Sequence, residues 1–213
     1  MITLSEKVFE FIKDRILDFS YLPGVKLSDD EIATELHMSR TPVREALNRL
    51  AELGLVEAKS NRGFKVKTFS EKEIEDLYIL RDTLECLAVR LTIERMDTKI
   101  ERKLKEALKN FSQQINSGDI VKFNLTDTNF HDMIALCSGN TALYETLSNL
   151  SYKIQIIRRY DHLRPGSWER TYQEHLQITE DMLNRDIKKA LKSMSKHILN
   201  SLKIIISIKQ QQK

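Results

Sequence analysis

Asp127 and His131 stand four residues apart in a stretch, 120–137, whose apolar spacing predicts a helix. At that spacing both side chains leave one helix face and can grip a single cation together. His175 and His197 sit among apolar neighbours in two later predicted helices. An isolated histidine in such a setting is more often a satisfied side chain than a ligand. Spacing alone does not bring three helices to one point. Arg81 lies four residues before Glu85, as one half of an i,i+4 ion pair would. Arg158, on a later helix, reads as a solvated arginine.

A different chemistry is written into Ser39-Arg40-Thr41-Pro42-Val43-Arg44-Glu45-Ala46-Leu47-Asn48-Arg49-Leu50. Thr41 is the expected N-cap, with Pro42 at the first helical position, where a missing N–H costs nothing. Val43, Ala46, Leu47 and Leu50 give one apolar face. Arg40, Arg44 and Asn48 share the opposite one. Such a donor-rich face suits the DNA major groove, where Arg pairs with guanine and Asn with adenine. The plainer alternative is a surface helix with solvated charges. Charge distribution favours the groove. Residues 1–39 hold four basic and eight acidic side chains, whereas 40–67 hold seven basic and three acidic. Positive charge begins where the helix begins.

The elements around these residues follow in order. A helix is predicted from Ser5 to about Phe19, with Val8, Phe11, Ile12 and Ile16 inward, then a turn at Leu22-Pro23-Gly24. Ser28 caps a second helix, Asp29–Leu36. After the donor-rich helix, Gly54 closes the turn. Two short strands, Leu55–Ala58 and Phe64–Lys67, are joined through Lys59-Ser60-Asn61-Arg62-Gly63. Ser70 and Glu73 form a capping box for the next helix. From there the chain is poor in breakers, and six helices are predicted: about 70–95, 99–116, 119–137, 140–162, 167–184 and 187–208. Asn116-Ser117-Gly118, Ser138-Gly139-Asn140 and Arg164-Pro165-Gly166 punctuate them, with Asn140 as a cap. His37 and His162 fall in turn-like stretches and receive no role. Lys209–Lys213 is a polar tail. The expected fold is mostly α: a winged helix-turn-helix with a two-stranded wing over 1–68, and an all-helical bundle over 69–213.

The first segment resembles the winged-helix DNA-binding domain of the GntR family of bacterial regulators. Leu22-Pro23-Gly24, Leu27-Ser28, the run Ser39–Leu47, Leu50, Gly54-Leu55-Val56 and Gly63 carry the likeness. The resemblance implies that Ser39, Arg40, Thr41, Arg44 and Gly63 contact DNA, and Asn48 joins them from its place on the helix face. Many relatives have an arginine where this chain has Asp30, so the operator is expected to differ.

The second segment resembles the FCD domain attached to one GntR subfamily. Leu80-Arg81-Asp82-Thr83-Leu84-Glu85, Asp127-Thr128-Asn129-Phe130-His131, Ser138-Gly139-Asn140, Glu174-His175 and Asn184-Arg185-Asp186 carry it. Six helices suit the shorter, vanillate-repressor-like subgroup. The resemblance implies that Asp127, His131, His175 and His197 coordinate one divalent cation. Mixed N/O donors fit zinc, nickel or manganese. It also implies that Arg81 faces the cavity beside the metal and binds an organic acid, with Arg158 as a second effector-binding candidate.

The implied protein is a dimeric, effector-controlled transcriptional regulator that binds operator DNA and is no enzyme. A purely metal-responsive regulator is the alternative, and a metal-dependent hydrolase a remoter one, since no His-Glu-x-x-His motif appears. Two distant cysteines, Cys86 and Cys137, suggest free thiols in a reducing cytoplasm. No secretory leader or membrane span is expected.

Overall fold

The computed structural model describes residues 3–59, 63–115, 117–162 and 164–211. The expected hairpin tip at Ser60-Asn61-Arg62, Asn116 of the first turn of the bundle and the last two residues of the polar tail lie outside them. The chain divides into two compact units, Met1–Phe69 and Ser70–Lys213.

In the first unit, α1 (Leu4–Leu17) is followed by β1 (Lys26–Leu27), α2 (Asp29–Glu35), α3 (Arg40–Glu52), β2 (Val56–Lys59) and β3 (Gly63–Val66). Val8, Ile12 and Ile16 line the buried side of α1. Phe9, rather than the expected Phe11, completes that side; Phe11 instead carries the Arg15 guanidinium on its ring. Val43, Ala46, Leu47 and Leu50 of α3 are fully buried. The sheet has three strands where two were expected, in the antiparallel order β1-β3-β2. Leu27 pairs with Phe64, and Phe64 with Ala58 across the hairpin. Two residues leave no periodicity to read, so β1 emerges only from its pairing.

The start of α3 also differs from expectation. Ser39, not Thr41, is the N-cap, which puts Pro42 at the third helical position. Ser39 makes no side-chain capping bond. A serine cap needs an N–H at the second or third position, and proline has removed the latter. Gly54 follows α3 with φ of 70°, the left-handed closure expected there.

In the second unit, α4 (Glu71–Glu94), α5 (Thr98–Gln114), α6 (Ile120–Cys137), α7 (Thr141–His162), α8 (Ser167–Leu183) and α9 (Ile187–Gln211) are the six helices of the described residues. Asp97, Asp119 and Asn140 accept N–H bonds at the starts of α5, α6 and α7. Short connections of this kind hold neighbouring helices antiparallel. The buried stripe of α4 runs Ile74, Tyr78, Arg81, Glu85, Ala88, Val89 and Thr92. The stripes of α6, α8 and α9 are likewise interrupted mid-helix, by Asp127 and His131, by His175 and by His197. A layer of buried polar side chains therefore crosses the bundle.

The capping box at α4 is present in full: Ser70 accepts from the Glu73 N–H, and Glu73 accepts from the Ser70 N–H at 2.8 Å. Ser70→Ala should cost the bundle about 1 kcal/mol, read as a lower midpoint in urea unfolding of the full chain. An unshifted midpoint would mean that the cap adds nothing.

Candidate functional site

Asp127, His131, His175 and His197 converge. Each is buried, and one ligand atom from each lies within 4.8 Å of the others. The Asp127 carboxylate is fully buried and paired with the Arg158 guanidinium. His175 Nε2 sits 3.2 Å from Asp127 Oδ1. The His175 ring is clamped: it stacks on Phe130 at 4.0 Å and meets the edge of Phe111 at 4.6 Å.

Two carboxylates absent from the sequence-derived ligand set orient the other rings. His131 Nδ1 lies 2.5 Å from Glu85 Oε2, and His197 Nδ1 lies 2.7 Å from Glu174 Oε2. An ionised carboxylate only accepts, so each Nδ1 carries a proton, and a neutral ring then keeps its lone pair at Nε2. At His131 a second partner fixes the same tautomer, because Arg81 Nη2 donates to Nε2 at 3.0 Å. A carboxylate holding the far nitrogen of a histidine is the usual support of a metal ligand. The near nitrogens suit an ion. His175 Nε2 and His197 Nε2 are buried without a hydrogen-bond partner among the described residues. The donor set, three imidazoles and a carboxylate, therefore fits a divalent cation.

Electrostatics agree. Burial pushes the His175 pKa well below the ordinary value. It drives His131 down to about 4, against the pull of Glu85. Burial would raise Glu85, but His131 and Arg81 outweigh it and bring it down to about 2. Asp127 is likewise lowered, with Arg158 and the histidines overcoming burial. At neutral pH the His131 and His175 rings are free bases and the Asp127, Glu85 and Glu174 carboxylates are ionised, the protonation states that ligation requires.

Arg81 and Arg158 are both buried, not solvated. Arg81 Nε donates to Glu85 at 2.8 Å, which makes the predicted ion pair an interior one. Arg158 Nη2 donates to Thr128 at 2.7 Å, and its pairing with Asp127 draws it inside. Arg81 Nη1 and Arg158 Nε have no hydrogen-bond partner among the described residues. The two arginines share the wall of a cavity with His131, Asp132, Ser151 and the α7 side chains Leu147, Leu150 and Ile154. Its volume is about 20 Å³, room for roughly one water. His162, assigned to a turn by the sequence, is the buried end of α7, with Nδ1 against Asn124 Oδ1. The break at Arg164-Pro165-Gly166 comes two residues too late to mark it. Both cysteines are free; burial and the Asp82 carboxylate push the Cys86 thiol up to about 12.

In the first unit Ser39, Arg40, Thr41, Arg44 and Asn48 are all exposed along α3. Gly63 is exposed at the start of β3 with φ of 75°, a conformation that favours glycine. Arg40 Nε pairs with Asp30, and Arg44 Nε lies 3.7 Å from Asp29 Oδ2.

Residues 4–66 match the model for bacterial regulatory proteins of the gntR family, and residues 76–200 match the FCD domain. The chain belongs to the GntR family and carries an FCD domain; it is a DNA-binding transcriptional regulator and not an enzyme. It is 30% identical to the Nta operon transcriptional regulator of Aminobacter aminovorans, over 90% of each chain. It is 24% identical to the transcriptional repressor RspR of Escherichia coli strain K12, over 98% of this chain and 91% of the relative. The solved structure of E. coli McbR/YncC shares the fold, with a TM-score of 0.84 over the whole of both chains at 22% identity. No helix of the described residues is long and apolar enough to cross a membrane.

The buried neutral histidines have a measurable consequence. His131 binds a proton more weakly folded than unfolded, so the unfolded chain takes up protons first. Its contribution to stability is present above the ordinary value near 6.5 and is lost as pH falls towards about 4. Glu85 adds a further loss between 4.5 and about 2. Urea titrations of chelator-treated protein from pH 7.5 to 4 should show stability falling through that window. A flat profile would contradict neutral burial of the ring.

Proposed function

We propose that the FCD domain holds one divalent cation through Asp127, His131, His175 and His197, and that a small organic acid bound beside it controls operator affinity. Zinc, nickel and manganese all suit three imidazoles and a carboxylate. The observation that carries the reading is the juxtaposition of that buried cluster with two buried guanidiniums, each retaining an unpaired donor. The cation would accept one carboxylate oxygen. Arg81 Nη1 would donate to the other, with Arg158 as the second cationic wall. Both bonds are charge-assisted and formed away from water, where they are strongest.

The cavity holds about one water, so the acid must displace side chains to enter, Leu147, Leu150 and Ile154 of α7 among them. That requirement links occupancy to the shape of the bundle. An effector regulates only if it binds the DNA-competent and incompetent states unequally. The same small cavity also suits a second reading, in which the cation alone is the signal. Titrating metal against operator affinity with no organic acid present separates the two.

The protein acts in the cytoplasm, on double-stranded operator DNA, through Ser39, Arg40, Thr41, Arg44, Asn48 and Gly63. It dimerises through the helical domain. Exposed Ile79 and Leu80 on α4, with Val121, Leu125 and Leu136 on α6, offer apolar surface for the seam. Paired half-sites on DNA require two such reading heads.

Reconstituted protein should contain about one divalent ion per chain by elemental analysis, and His175→Ala should lose it and melt at lower temperature. Glu174→Gln, which weakens the orientation of His197, should reduce metal affinity by roughly 10- to 100-fold. Full metal content in His175→Ala would overturn the ligand set. In a calorimetric screen of metabolic acids, hits should bind poorly after chelation and to Arg81→Ala. Equal binding to all three proteins would place the effector elsewhere.

A further inference from the structure

We infer that Asp30, seconded by Asp29, is a positioning residue for DNA recognition: its carboxylate sets the Arg40 guanidinium for base reading and withholds it from indiscriminate phosphate binding. The inference rests on the proposal that the exposed face of α3 enters the major groove.

Both acids stand in the first turn of α2, where the helix dipole favours negative charge, and Ser28 caps that turn at the Glu31 N–H, 3.2 Å. Ile32 and Ala33 are buried, which anchors α2 in the unit and fixes where the two carboxylates point. Arg40 and Arg44 are one helical turn apart on α3. Each ion pair is made through Nε, on the inner side of the guanidinium fork. The outer edge, Nη1 and Nη2, is the one that donates two parallel bonds to guanine O6 and N7. A guanidinium has five N–H donors, so one carboxylate leaves donors for a base.

Both arginine side chains are about two-thirds exposed, at 68% and 66%. Ion pairs this exposed add little to stability, so the pairing with the arginines has no evident folding role beyond the dipole effect of the acids on α2. Their effect falls on the charge and geometry of the reading face. A free arginine on a long stem takes whichever phosphate is nearest. Such contacts carry affinity and salt dependence but no sequence information. An arginine held through Nε loses part of that freedom, and the carboxylate offsets part of its field. Random DNA then gains less, while a guanine at the right step still meets a ready fork. The Asp30 pair is in direct contact and the Asp29 pair is 3.7 Å apart, which is beyond hydrogen-bond length. Asp30 should therefore have the larger effect.

The test uses the full-length protein and duplexes chosen by that protein from a randomised pool, with scrambled duplexes of the same composition as reference. Affinities are measured by anisotropy across a salt series. Asp30→Asn should bind scrambled DNA several-fold more tightly. Its salt slope should steepen by about one. The ratio of selected to scrambled affinity should fall roughly tenfold, the scale of one bidentate base contact. Repeating the selection with Asp30→Asn should give a consensus that has lost its preference at one guanine. Asp29→Asn should move the same quantities by less.

If Asp30→Asn strengthens binding to both duplexes equally, the acid merely repels DNA and the positioning role is refuted. No change in either affinity refutes it as well. Arg40→Ala separates this failure from that of the underlying reading. If Arg40→Ala leaves both affinities intact, α3 does not read DNA. If it abolishes discrimination while Asp30→Asn keeps it, the reading stands and only the role of Asp30 falls.

Discussion

The second unit is built around a carboxylate with no access to solvent. Asp127 sits at the middle of a helical bundle, where an ionised group left alone would cost several kcal/mol. Its charge is met by Arg158, with the neutral ring of His175 3.2 Å away. Arg158 in turn donates to Thr128, and the cluster spreads outward through further pairs. Glu85 answers Arg81 and His131, and Glu174 answers His197 and Asn200. Removing one partner from such a network exposes the rest to desolvation, which makes the polar layer a unit rather than a set of independent contacts.

Under the proposed function, the same arrangement would let sensing and folding share one region. His131 is held from both sides, by Glu85 at Nδ1 and by Arg81 at Nε2. A cation entering the cluster would compete with Arg81 for the Nε2 lone pair, and Arg81 would then be freer for an anion. In the proposed function, cation and carboxylate would thus favour each other's arrival through a single guanidinium. The cavity is small, and apolar side chains of α7 form one wall. In the proposed function an entering acid would have to shift them, since a close-packed interior leaves little slack.

The DNA-binding unit follows a different economy. Its core is apolar and carries α3 on a stripe of fully buried side chains, so the opposite face is presented rigidly. Pro42 removes the donor that Ser39 would have capped, and leaves the serine hydroxyl at the start of the helix uncommitted within α3. The basic face is not bare either, since α2 sets two carboxylates against it. Affinity and selectivity on such a surface are adjusted separately, one by net charge and the other by where each guanidinium is held.

Much of this was legible in the residues. Helical periodicity and end signals gave all six bundle helices of the described residues to within a few residues, and i,i+4 spacing put Asp127 and His131 on one helix face. The family resemblance brought His175 and His197 to the same point; spacing could not, because separation along the chain says nothing about which helices meet. What only the tertiary structure decided were the interactions made across helices. Arg158 read as solvated because its partner, Asp127, lies thirty-one residues away on another helix. Glu85 read only as the partner of Arg81, and Glu174 received no role, because an acid beside an apolar stripe is ambiguous until the facing histidine is known. The strand Lys26–Leu27 is too short to carry a period and exists only through Lys65 and Phe64. Local sequence determines periodicity and caps, since both depend on neighbours within a turn. Burial of charge depends on partners contributed by other elements, and packing supplies them.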